Sequence, residues 1–160
     1  MINLSEIFLG ENTNVFNMDM RRYKTMTGFD IREVKVEDYF DIIKINSEIE
    51  EGTIKLVKED NNHLMIVGQL NDEVIGYIKG KVEIEKESIV IESFSVDEKY
   101  RGLGVGYQLL LEIEKELNNR KIKNLVHINK AYDEDEVRFF NRQGFILGDN
   151  LNYEKIAFVQ

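Results

Sequence analysis

Apolar and polar residues alternate over Phe29-Asp30-Ile31-Arg32, the two-residue period of a half-buried strand, and Phe29 to Val34 reads as the first strand. Val36-Glu37-Asp38 then opens a helix with acidic residues in its first turn, where the helix dipole favours them. Tyr39, Phe40, Ile42, Ile43, Ile45 and Ile49 supply its apolar face, and Gly52 is expected to end it. Thr53 to Asp60 reads as a short second helix. Three antiparallel strands are expected next: His63 to Leu70, Val74 to Glu85, and one beginning at Ser88. Asn71-Asp72-Glu73 and Lys86-Glu87 are the turns between them. Ile89 to Val96 is rich in β-branched and aromatic residues, as a central strand requires.

After that strand, Leu110, Ile113 and Leu117 recur at helical spacing beside Leu109. Asn118-Asn119-Arg120 breaks the pattern. Asn124 to Asn129 reads as another strand, and a strand–helix–strand unit of this length predicts a right-handed crossover to a parallel neighbour. Asp133 is expected to cap a helix carrying Val137, Phe139 and Phe140, with Gly144 ending it. Phe145-Ile146-Leu147 and Tyr153 to Val159 are the last strands, joined by Gly148-Asp149-Asn150. Met1 to Gly28 is read as an N-terminal extension, either a peripheral segment on a sheet edge or a lid. Residues 29–160 are read as one domain.

Composition narrows the functional classes. The 160-residue chain can bury its own core. Its formal net charge of −9 argues against general nucleic-acid binding and suits a cationic ligand such as an amine. No cysteine is present, which excludes disulfides, thiol nucleophiles and thiolate metal sites. His63 and His127 stand apart in sequence and predict no zinc site. His63, at a strand start, is expected at the surface. No apolar run is long enough to span a membrane and no leader pattern opens the chain, so a soluble, cytoplasmic protein is expected.

The candidate chemistry lies between the central strand and the long helix, at Arg101-Gly102-Leu103-Gly104-Val105-Gly106. A helix start has backbone N–H groups without internal partners and partial positive charge. Glycines let a phosphate approach those groups, and Arg101 can grip phosphate oxygens or buttress the loop. The turn therefore suits a pyrophosphate. It is not the dinucleotide fingerprint, because the sixth position counted from Gly102 is Tyr107. Nor is it a triphosphatase loop, because no Gly-Lys-Ser/Thr occurs.

Arg-x-x-Gly-x-Gly after a strand ending in Val-Asp-x-x-Tyr resembles the acetyl-CoA loop of the GNAT superfamily of N-acetyltransferases. The match is closest over Glu92 to Leu117. Phe139-Phe140-Asn141-Arg142-Gln143-Gly144-Phe145 is similar to that family's Phe-Tyr-x-x-x-Gly-Phe segment. The resemblance implies an α/β (α+β) fold with helices on both faces of a mixed, mostly antiparallel six- to seven-stranded sheet. A central parallel pair in that sheet splays around acyl-CoA. It implies that Phe94, Ser95 and Val96 hold the pantetheine arm through their backbone. Arg101, Gly102, Leu103, Gly104, Val105 and Gly106 would take the pyrophosphate. Asp133 and Phe140 fall where the family places an asparagine on the pantetheine and a tyrosine general acid.

Transfer to an amine needs a base for the amine, a stabilised oxyanion and a proton for the leaving thiolate. Glu92 is the candidate base, since a carboxylate in an apolar strand is partly desolvated. Phe140 cannot donate a proton, and Tyr132 is the nearest candidate acid in sequence. The expected function is acetyl transfer from acetyl-CoA, without a metal, to a small amine, polyamine, amino acid or peptide amine. The alternative is a CoA-binding sensor or assembly module with little transfer activity. No nucleic-acid or membrane partner is expected, and the protein is expected as a monomer or homodimer.

Overall fold

The computed structural model describes residues 26–128, 134–147 and 152–156. Its strands are β1 (Phe29–Glu33), β2 (His63–Leu70), β3 (Glu73–Glu83), β4 (Ser88–Val96), β5 (Asn124–Ile128), β6 (Ile146–Leu147) and β7 (Asn152–Ile156). They form one seven-stranded sheet in the order β1-β2-β3-β4-β5-β7-β6. Every pairing is antiparallel except β4 with β5, which is parallel. The described helices are α1 (Tyr39–Ile45), α2 (Gly52–Glu59), α3 (Val105–Arg120) and α4 (Glu134–Arg142). The mixed sheet with its central parallel pair is the architecture expected from the sequence.

Two hydrophobic clusters give the sheet its layers. On one face, Leu109, Leu110, Ile113 and Leu117 of α3 and Phe140 of α4 pack on Ile78, Ile89, Ile91 and Leu125. On the other, Ile42 of α1 and Ile54 of α2 pack on Met65, Val67, Val74 and Tyr77. Gly76 of β3 allows α3 to sit close. A Cβ on Gly76 would lie 3.2 Å from Val105 Cγ1 and 3.3 Å from Leu109 Cδ1, while one on Gly80 would press on Ile89 Cγ2 of β4 at 3.0 Å.

Several boundaries differ from the sequence reading. The helix begun at Tyr39 stops at Ile45, and Gly52 opens α2 where it was expected to end α1. Asn46 is the cause. Its backbone is extended, its amide donates to Tyr77 Oη at 2.8 Å, and its Oδ1 accepts from Glu48 N at 3.1 Å. A side chain that binds the backbone two residues on competes with helix propagation. β3 ends at Glu83, and Ile84–Lys86 forms a 3-10 turn closed by Glu87 in the left-handed region. α3 begins at Val105, earlier than its apolar repeat, and runs through Asn118 and Asn119 to Arg120. Lys121, at φ 56°, is its cap.

The edge of the sheet is tied by a fork. Arg32 donates to both carboxylate oxygens of Asp38 at 2.8 Å, and Lys35 N donates to the same group at 2.7 Å. Burial pushes the Asp38 carboxyl up, but the Arg32 and Lys35 bonds outweigh it and hold the group below its ordinary value.

Candidate active site

The glycine turn is built by local backbone chemistry. Asp97 Oδ1 accepts from Lys99 N at 3.0 Å and starts the 3-10 turn Glu98–Tyr100. Arg101 follows in extended conformation, with its Nε donating to Val96 O at 3.1 Å. That bond ties the turn back to the end of β4. Gly102 has φ 76° and Gly104 has φ 86°, a region where a Cβ is strained. Gly104 is the N-cap of α3 and offers no side-chain acceptor to the first helical turn.

The turn forms one wall of a cleft of about 550 Å³. β4 supplies Phe94, Ser95 and Val96, and the turn supplies Arg101, Gly102, Gly104, Val105 and Gly106. α4 forms the opposite wall. Eight of the residues expected from sequence are therefore together. Leu103 does not line the cleft. Tyr132 and Asp133 lie outside the described residues.

Phe140 is displaced from its expected place. It is fully buried, its ring stacked on His127 with centroids 4.2 Å apart. Phe139 lines the cleft instead, stacked on Phe94 at 5.3 Å. A Cβ on Gly106 would fall 2.9 Å from Phe94 Cζ, so the third glycine makes room for these rings. The wall residues of α4 were missed in the sequence. Their signal was the helical spacing of Asp135, Phe139 and Arg142.

The cleft opens where the central pair separates. β4 and β5 pair from Ser88↔Asn124 to Ile91↔His127, and no pair follows among the described residues. On the other side of β4, Lys79 pairs with Ser93 while Gly80 pairs with Ile91. Glu92 is the extra residue of that β-bulge. The bulge and the strand separation thus fall at one position, and bulges re-aim side chains beside such sites.

Glu92 is about one-third exposed, and its Oε2 forms an ion pair with Nζ of Lys79, whose side chain is only 9% exposed. The apolar surroundings expected for Glu92 are replaced by this cation. Alongside lies a hydrogen-bond chain. Asn46 donates to Tyr77 Oη, which is hydrogen-bonded to Ser93 Oγ at 2.6 Å with either hydroxyl able to donate. Burial pushes the Tyr77 hydroxyl up, against the pull of Ser93 and Asn46, so it stays protonated at neutral pH.

The histidines have structural surroundings. His127 is buried, with Nε2 2.6 Å from Glu136 Oε1. His63 is largely buried too, not at the surface as expected, with Nε2 3.4 Å from Asp60 Oδ2. Among the described residues no cluster of His, Cys, Asp and Glu is placed to hold a metal ion. None of their helices is long and apolar enough to cross a membrane.

Residues 28–145 match the model of the acetyltransferase (GNAT) family. The chain belongs to that family. Solved GNAT-like structures share the fold at low identity. The ribosomal-protein-S18-alanine N-acetyltransferase of Escherichia coli superposes with a TM-score of 0.70 at 14% identity, covering 82% of this chain and 96% of that one. Ard1 of Thermoplasma volcanium gives 0.69 at 20%, covering 82% and 99%. The PaiA N-acetyltransferase of Thermoplasma acidophilum, solved with coenzyme A, gives 0.67 at 17%, covering 80% and 98%. No curated protein sequence matches significantly. GNAT membership indicates acetyl transfer as the general activity.

Proposed function

We propose that this GNAT protein moves an acetyl group from acetyl-CoA to a primary amine by direct attack. The observation that carries the reading is the joining of the glycine turn and the strand separation in one cleft. The N-acetyltransferase names of similar structures support nitrogen as the acceptor atom.

The residues fit the cofactor. Gly102 and Gly104 let backbone N–H groups approach the pyrophosphate, with the start of α3 adding its dipole. Arg101 fixes the turn through Val96 and keeps terminal nitrogens for phosphate oxygens. The β4 backbone at Phe94 to Val96, beyond its last pairing with β5, serves the pantetheine amides. Bond accounting is simple. The amine nitrogen bonds to the acetyl carbon, the carbon–sulfur bond breaks, and the CoA thiolate leaves. Glu92 takes the proton released by nitrogen, directly or through water, on the oxygen that Lys79 does not hold. Tyr132 remains the proposed proton source for the thiolate, although a free thiol leaves adequately as thiolate. The acceptor is a small amine, a polyamine, an amino acid or a peptide amine.

A second reading is a CoA-binding module with little transfer activity. It is favoured by Phe140, which has no hydroxyl and is fully buried behind the cleft-lining rings of Phe94 and Phe139. Two measurements separate the readings. A thermal melt with acetyl-CoA, CoA, ATP and NAD in turn should rise only with the CoA species. Thiol release from acetyl-CoA across an amine panel should then exceed the amine-free rate. Stabilisation without release favours the binding module, and no stabilisation by CoA species removes both readings.

A further inference from the structure

Glu92 and Ser93 are consecutive on β4, yet both side chains engage the same face of the sheet. Tyr77 and Lys79 of β3 are two residues apart and share that face with their partners Val67 and Met65, which belong to the cluster under α1 and α2. Ser93 pairs with Lys79 across the strands, and its Oγ meets Tyr77 Oη at 2.6 Å. Glu92, the extra residue of the bulge, brings its carboxylate to Lys79 on the same face. A regular strand would send the two side chains to opposite faces. The candidate base and a hydroxyl therefore stand side by side, on Cα atoms about 3.8 Å apart.

The far end of the hydrogen-bond chain fixes its direction. Asn46 Oδ1 accepts from Glu48 N, so Asn46 turns its Nδ2 to Tyr77 Oη and can only donate there. Tyr77 is fully buried, and Ser93 is the other partner of its hydroxyl among the described residues. If Ser93 donated to Tyr77, the Tyr77 proton would be buried without an acceptor, at the cost of a lost hydrogen bond. Tyr77 therefore donates and Ser93 accepts. The Ser93 proton is then committed to no acceptor among the described residues. Ser93 is half-buried, so a ligand beside Glu92 can reach that proton.

The two groups make different demands on the molecule that receives the acetyl group. Glu92 takes a proton from an amine in the acetyl-transfer reading above, on which this inference rests. Ser93 offers a proton to an oxygen close to that amine. A polyamine presents protonated nitrogens, and covering Ser93 with it leaves the hydroxyl proton unpaired. A free amino acid presents an oxygen, but as a carboxylate. It would meet the Glu92 charge, and the Lys79 cation is already matched by Glu92. Glu48 adds negative charge nearby, and after burial it is a lesser cause of the upward push on the Tyr77 hydroxyl. We infer that Ser93, oriented by Tyr77 and Asn46, selects an acceptor with an uncharged carbonyl next to its amine, as at the N-terminus of a peptide.

The test is steady-state acetylation by the full chain, read as thiol release from acetyl-CoA. Each of a panel of amino-acid amides is compared with its free amino acid and with the amine that carries isopropyl in place of the carboxamide. Wild type should use the amides better than the free amino acids. Ser93→Ala should lower the kcat/KM ratio of amide over isopropyl amine about tenfold, the scale of one hydrogen bond. Amine basicity cancels, because both proteins meet the same pair. Ser93→Thr, which keeps the hydroxyl, should restore most of the ratio, and Tyr77→Phe should lower it part-way. A merely structural role would lower both rates together and leave the ratio alone. An unchanged ratio in Ser93→Ala, free amino acids used as well as their amides, or transfer to spermidine without transfer to any amide would overturn the inference and leave acetyl transfer standing. Transfer to no amine would overturn both.

Discussion

The two sides of β4 beyond Ile91 are built on opposite principles. Towards α3 and α4 lies a cleft with glycine backbone, Arg101 and Arg142 without carboxylate partners among the described residues, and a helix start with no side-chain cap. Towards α1 and α2 the polar groups are matched to each other: Lys79 with Glu92, and Asn46 with Tyr77 and Ser93. One side keeps donors for a ligand, and the other uses its donors internally, the Ser93 hydroxyl excepted. A ligand entering the first side meets unfilled hydrogen-bonding capacity. An amine entering the second must share Glu92 with a lysine already there.

The largest effect that would break this contrast is on the glycine side. Gly104→Val places a β-branched residue at φ 86° and a Cβ in the proposed phosphate path. CoA affinity should fall about a hundredfold or more in direct titration. Unchanged affinity would remove the turn from the site.

On the matched side, Glu92→Gln should lower turnover by about a hundredfold, the lower end for a general base, with CoA affinity kept. It also leaves the buried Lys79 ammonium without its counterion. Glu92→Gln should therefore melt lower than Lys79→Met, which removes the charge itself. The opposite order of melting temperatures would show that Lys79 does not depend on this pair.

A smaller effect concerns the tie at the sheet edge. Asp38→Asn should cost about 1–3 kcal/mol, read by denaturant unfolding. The Asp38 carboxyl is held below its unfolded value, near 3.9. Its contribution is then complete above that pH and is lost as pH falls through the lower folded value. The wild-type advantage over Asp38→Asn should shrink on acidification below about pH 4. The smallest effect is at Phe140→Tyr. A hydroxyl added to a fully buried ring should cost about 1 kcal/mol of stability with CoA binding intact. Raised turnover would mean the ring can turn its hydroxyl into the cleft.

The contrast also governs what the sequence made legible. The glycine turn is contiguous with the end of β4, and its strand, turn and helix follow from local period and φ requirements, so the eight expected residues that line the cleft come from one short stretch of sequence. The matched side is assembled from separate elements. Lys79 meets Glu92 only because two hairpin strands are in register, and the bulge at Glu92 shifts that register by one residue. A period-two reading of β4 contains no sign of an extra residue. Asn46 was hidden by the isoleucines around it, which continue a helical repeat that its amide ends. Phe140 followed from a family motif, but which of two adjacent phenylalanines faces the cleft depends on how α4 is rotated.

The separation of β4 from β5 has a consequence for the protein without its cofactor. Most sheets keep their edges at the outside, where charges and short strands guard them. Among the described residues this one also has an edge within, on β4 beyond Ile91, because their parallel ladder stops at His127. Any extended peptide that reaches the cleft meets a template for strand addition. The proposed pantetheine arm is then more than a carrier of the acetyl group. By occupying that edge it acts as a guard against self-association, and cofactor-free protein should aggregate sooner than protein saturated with CoA.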